Sequence, residues 1–159
     1  LIYLITQFKI FLISIIFIFL GGCSTRDYSI HKEKYLVTIK SPELKYSDMG
    51  TISKSDEDVA IELFAFGNKI LDLKIESLIY INGKILPPSI FYSKYLQTDY
   101  PEDTIKNIFM SKPIFNNINI VNLENQFTQE FDSIYYRVSS NETFFKDNNK
   151  NIIIKFVKQ

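Results

Sequence analysis

One cysteine in 159 residues, Cys23, stands directly behind an uncharged run, residues 10–20 (IFLISIIFIFL), and two glycines, Gly21 and Gly22. That placement separates a leader from the part of the chain that has to fold. Lys9 precedes the run. A cation, an apolar stretch of about 7–15 residues and a small-residue cleavage site together read as a secretory signal. A retained transmembrane span is the competing reading, since about 20 apolar residues would cross a bilayer. Lys9 argues against it, because a cation inside a span is costly. The expected boundaries are a signal peptide at 1–22, a tether at 23–34 and one domain at 35–159. The chain opens on Leu1 and its first methionine is Met49; the expectation is a start codon other than ATG, or one placed elsewhere.

Leu20-Gly21-Gly22-Cys23 resembles the lipobox of bacterial lipoproteins. The resemblance implies cleavage between Gly22 and Cys23 and a diacylglycerol on the Cys23 thiol, with an acylated amino terminus. One acyl chain binds membranes only marginally, whereas two or more anchor stably. By the same resemblance, Ser24 after the cysteine implies export to the outer membrane. The lipid on Cys23 is the one covalent group expected, and no other cofactor is.

With Cys23 committed, no thiol is left for a disulfide, and stability has to come from packing. The 14 Phe and 10 Tyr supply large burial areas. Without residues 1–22 the chain carries 17 basic and 18 acidic residues. That balance gives no sign of a nucleic-acid partner.

Strand patterns then follow one another. Residues 35–40 (YLVTIK) alternate, 59–66 (VAIELFAF) are nearly all apolar, and 70–75 (ILDLKI) alternate again. Gly67-Asn68 is a turn signal. Asn82-Gly83 between 78–81 and 84–86 is a type I′ hairpin signal, since both central residues need positive φ. A helix is expected over 99–112, with Pro101 in its first turn and Ile105, Ile108 and Phe109 on one face. A shorter helix is expected over 89–96. Strands resume at 118–123, 127–131, 134–139, 143–145 and 152–157. The fold class expected is mainly β, an antiparallel β-sandwich-like domain with one helical insertion near 89–112.

The residues of catalysis are sparse. His31 is the only histidine and falls in the expected tether, which is a poor place for a triad that needs a rigidly oriented base. Asp56-Glu57-Asp58 lacks the glycine and spacing of a calcium loop, and reads as a solvated turn. Asn141-Glu142-Thr143 matches the minimal glycosylation sequon. Asp48, Glu62 and Asp72 have no spacing that supports a carboxylate-dependent hydrolase. Tyr92, Tyr95 and Tyr100 flank the helical insertion, with Phe91 beside them. They are a candidate aromatic surface for a partner or glycan, weighed against packing of the insertion on the sheet.

Four segments carry a wider likeness: 45–50 (KYSDMG), 66–75 (FGNKILDLKI), 111–115 (SKPIF) and 144–156 (FFKDNNKNIIIKF). In them the chain resembles a family of small lipoproteins of epsilonproteobacteria that has no assigned reaction. Relatives of that family carry cysteines in the middle and C-terminal strands, and this chain has none there. The expectation is a non-enzymatic outer-membrane lipoprotein facing the periplasm. The expected partners are the membrane, met through the lipid anchor, and an envelope protein that the sequence does not identify. The alternative is a surface-exposed adhesin or glycan binder using the three tyrosines.

Overall fold

The strands follow the period-two patterns and the turn residues between them. The computed structural model describes residues 31–159. Its strands are β1 (His31–Lys40), β2 (Lys45–Lys54), β3 (Val59–Ala65), β4 (Asn68–Ile75), β5 (Ile79–Ile81), β6 (Lys84–Leu86), β7 (Ile120–Leu123), β8 (Gln126–Phe131), β9 (Ile134–Ser139), β10 (Glu142–Asp147) and β11 (Ile152–Lys158). Between β6 and β7 lie α1 (Pro88–Phe91), a π-turn (Tyr92–Leu96), α2 (Thr104–Met110) and a 3-10 turn (Phe115–Asn117).

All eleven strands form one sheet, in the order β6-β5-β4-β3-β2-β1-β11-β10-β9-β8-β7. Every neighbouring pair is antiparallel. The mainly-β expectation holds, and the sandwich is corrected. A sandwich would divide the strands between two stacked sheets. Instead β11 returns to pair with β1, from Tyr35↔Lys158 to Lys40↔Ile153, and fuses two meanders, β1–β6 and β7–β11, edge to edge. The second layer comes from the helical segment.

The sheet curls around that segment. In a flat sheet β3 and β10 would lie about 19 Å apart, at about 4.8 Å per strand. Yet α2, a single helix about 10–12 Å wide, touches both. Phe109 of α2 stacks on Phe156 of β11, with centroids 5.6 Å apart and planes 13° apart. Phe91, Tyr92, Leu96, Ile105, Ile108 and Ile114 fill the rest of the concave side. Gly50 sits where β2 and β3 press together. A Cβ there would meet the Glu62 carbonyl oxygen and Leu63 Cδ2, each at 2.4 Å.

Several boundaries moved. β1 opens at His31, inside the stretch expected to be tether, because its first residues pair with the end of β2. β2 itself has weak strand propensity (KYSDMGTISK). It is held by ten consecutive residues in register with β1. The 99–112 helix shrinks to α2, whose N-cap is Asp103; Tyr100 is instead drawn to Asp147 of β10. Ser111 ends α2 in the left-handed region, φ 58°, and its N–H and that of Lys112 bond back to Ile108 and Asn107.

Candidate functional site

Cys23 and Gly22 lie outside the described residues. Of the three tyrosines, Tyr92 is buried and Tyr95 and Tyr100 are half-buried. Tyr92 donates its hydroxyl proton to the Glu102 carbonyl at 3.1 Å and accepts from the Ile105 N–H at 2.9 Å. Tyr95 packs against Phe91, and Tyr100 packs edge-on against Tyr92, Phe115 and Phe145. These rings fasten the insertion to the sheet and to itself. Tyr92 is thereby closed to a partner, while Tyr95 and Tyr100 keep part of their surface open.

The carboxylates are partly brought together. Glu62 and Asp72 are direct cross-strand partners on β3 and β4. Lys69 Nζ lies between them, 3.3 Å from Glu62 and 2.6 Å from Asp72, and Lys32 bonds Glu62 at 2.6 Å. These lysines hold the Glu62 carboxyl below its ordinary range, against the smaller opposing effect of its partial burial. Both groups sit on an outward face as ion-paired acceptors. Asp48 accepts the Met49 N–H at 2.9 Å, away from both. The Asp56–Asp58 stretch is a turn closed by Ser55, whose hydroxyl accepts the Asp58 N–H at 3.0 Å. In the sequon, Thr143 is buried and part of the β10 ladder. No group of three potential metal ligands occurs among the described residues. No described helix is long and apolar enough to cross a membrane.

Two polar networks escaped the sequence reading because each joins distant elements. At one end of the sheet, Lys54 Nζ lies 3.0 Å from Ser111 Oγ, which lies 2.9 Å from Thr143 Oγ1. Burial lowers the Lys54 pKa, with Glu33 pulling the other way. A lysine beside a serine is a known way to activate a nucleophile. Here the Ser111 and Lys112 N–H groups are both used in ending α2 and Pro113 follows, so the backbone beside Ser111 offers no donor for an oxyanion. The network's visible work is to tie α2 to β2 and β10.

At the opposite end, Asp147 is buried. It accepts from the Tyr100 hydroxyl, from Ser133 Oγ at 2.7 Å, and from the Asn149 and Lys150 N–H groups at 2.9 and 3.1 Å. Burial alone would raise its pKa; the hydrogen bonds outweigh that and hold it below the ordinary value.

The residue with least structural reason to be where it is belongs to neither network. Phe66 is the first central residue of the β3–β4 turn, and its side chain is wholly exposed (105%). The sequence points to Gly67-Asn68 as the turn. The structure puts Phe66-Gly67 at the tip, with φ 49° and 81°. Asn, Asp or Gly suit such a position. A non-glycine residue in the left-handed region costs about 1–2 kcal/mol. Phe66 bears that cost without packing on anything. The tip lies at the end of the sheet where β1 finishes at Lys40, opposite the end at which the chain enters at His31.

Together these features define the class: an antiparallel β-protein whose single curled sheet holds a helical segment in its concavity and an aromatic at one hairpin tip. Searches against protein-family models and against curated proteins give no match.

Proposed function

We propose that the chain is a lipid-anchored outer-membrane lipoprotein whose β-domain faces the periplasm and docks, without catalysis of its own, on another component of the envelope. The observation that carries the docking reading is Phe66. An exposed aromatic, strained in backbone and mounted on a hairpin between two paired strands, is a rigid apolar probe. Aromatic anchors of this kind dominate interface energetics when a partner pocket desolvates them. The anchor rests on Leu20-Gly21-Gly22-Cys23. The entry of β1 at the opposite end of the sheet supports a tip held remote from the tethered end of the chain and free to meet a partner.

A photo-crosslinking residue at position 66, introduced in cells, tests this. The expected result is one discrete envelope adduct, diminished when wild type is co-expressed as competitor and retained when the competitor is Phe66→Ser. Crosslinks to no specific component would overturn the docking. Cys23→Ala is expected to abolish lipid labelling and leave an uncleaved precursor; unchanged processing would remove the anchor. Protease shaving of intact cells reads the orientation, and digestion of the domain would favour the surface-exposed reading.

A further inference from the structure

The convex face of the sheet carries a charge asymmetry that the balanced composition conceals. Three rows of outward positions cross β9, β10, β11, β1 and β2; Lys34–Thr51 and Lys32–Ser53 continue the face on β1 and β2, and Glu130 of β8 borders it opposite Tyr135. The first row is Tyr135–Lys146–Ile153–Lys40–Lys45. The second is Arg137–Phe144–Lys155–Thr38–Ser47, and the third Glu142–Val157–Leu36–Met49. Glu142 is the single carboxylate in these rows. It is shared by Arg137 and Lys155, two cations on one anion.

Lys40 and Lys45 are direct cross-strand partners beside the β1–β2 turn. Like charges directly opposite destabilise a sheet. Neither ammonium has an ion-pair partner among the described residues. Lys146 joins the same row two strands from Lys40, so three cations lie within about 14 Å at the ordinary strand spacing. Between and beside them stand apolar groups. Leu36 and Met49 are each 42% exposed, and Ile153, Phe144, Tyr135 and Val157 are half-buried. The helical segment and the core occupy the other face, so nothing within the described chain covers this one.

We infer that this face is a docking surface for an anionic phospholipid bilayer. Charge complementarity selects an anionic partner, and the interleaved apolar side chains favour an interface over a dissolved anion. Lysines spread their methylene stems on apolar surface while holding the ammonium at headgroup level. Basic residues near an anionic leaflet each add about 1 kcal/mol of attraction. The stretch from Cys23 to His31 reaches up to about 29 Å when extended, enough for the domain to roll onto its side. Phe66 at the sheet's end then points along the membrane and stays free. The inference rests on lipid attachment at Cys23 for the tether and is separate from the Phe66 docking.

The chain contains no tryptophan, so Leu36→Trp places a single reporter in the third row. The full-length variant is reconstituted into vesicles of brominated phosphatidylcholine alone and of brominated phosphatidylcholine mixed equally with phosphatidylglycerol. Co-flotation with the neutral vesicles first establishes tethering, so failure of the anchor is read apart from failure of the face. The expected result is a blue-shifted emission and several-fold stronger quenching in the anionic vesicles. Raised salt, or the combined changes Lys40→Glu, Lys45→Glu and Lys146→Glu, is expected to abolish both. Met49→Trp serves as second reporter should Leu36→Trp perturb folding. Leu123→Trp on edge strand β7 should stay unquenched. Equal quenching in both vesicles, or quenching that survives charge reversal, overturns the inference. So does a shift on adding single-stranded RNA that the anionic vesicles fail to produce.

Discussion

The two halves of the sheet grip the same helical segment in different ways. The buried side chains that β3–β5 turn to the concave side are all aliphatic, and β1 and β2 add Val37, Ile39 and Ile52 beside Tyr35, with Val37, Ile39, Ile52, Ile61, Leu63 and Leu73 at or near zero exposure. The concave side of β8–β10 mixes rings with buried polar groups: Tyr136, Phe145, Gln129, Thr143 and Asp147. Gln129 Oε1 accepts the Ile114 N–H at 2.8 Å, and its amide donates to the Ile114 and Ile118 carbonyls at 3.0 and 2.8 Å. The Tyr136 hydroxyl donates to the Lys112 carbonyl at 3.0 Å. Aliphatic contact is non-directional and tolerates small slips. Hydrogen bonds to named backbone groups fix one position. The first half therefore supplies most of the burial, and the second sets where along the trough the segment stops.

Four substitutions would break or sharpen that contrast, in descending order of effect. Phe145→Ala should cost about 3–5 kcal/mol, since the ring touches Tyr100 and Tyr136 and leaves a cavity on the keyed side. Urea unfolding reads the loss. Ile61→Ala in the aliphatic half should cost about 2–4 kcal/mol yet leave the amide-exchange pattern of 112–118 unchanged, whereas Phe145→Ala should loosen it. Equal loosening by both would erase the distinction between the halves.

Asp147→Ala comes next, at about 2–3 kcal/mol, because the Tyr100 and Ser133 hydroxyls lose their acceptor. Its pH dependence has a definite sign. The folded carboxyl lies below its unfolded value, so its contribution is complete above about pH 4 and is lost as the pH falls through the depressed folded value. Wild-type stability should drop in that acid range more steeply than Asp147→Ala, and parallel acid curves would remove the latch. The smallest effect is expected at Lys40→Thr. Relief of the Lys40–Lys45 opposition should raise stability by about 0.2–1 kcal/mol, measured as a small increase in Tm. A loss of stability there would mean that the pair is held for the fold and not for a partner.

Much of the sheet was legible in the sequence, and the reasons are local. Alternation marked β1 and β4, and Asn82-Gly83 marked the β5–β6 hairpin, where φ is 46° and 80°. β2 was hidden because its residues fit a strand poorly and are held by their neighbours. Pairing of β11 with β1 was also hidden. Nothing in either segment states which of two outer meander strands it will meet, and that choice separates one curled sheet from a sandwich. Phe66 reads as the end of an apolar strand until its turn is seen. The basic face is invisible to net charge. It appears only once β-strand alternation turns Lys40, Lys146 and Lys155 outward and Glu33, Asp48 and Asp147 inward, a sorting that depends on register.

The union of β11 with β1 also bears on how this chain reaches its fold. The middle of the sheet is assembled from its two most distant strands, and Lys158 Nζ meets Glu33 across 125 positions of sequence. Contacts so remote make loop closure costly before it is rewarded, which slows folding. Either meander alone leaves a central strand edge bare, the kind of edge that recruits other chains. The interval between making β1 and delivering β11 is therefore the one in which the chain is most exposed to pairing with other chains.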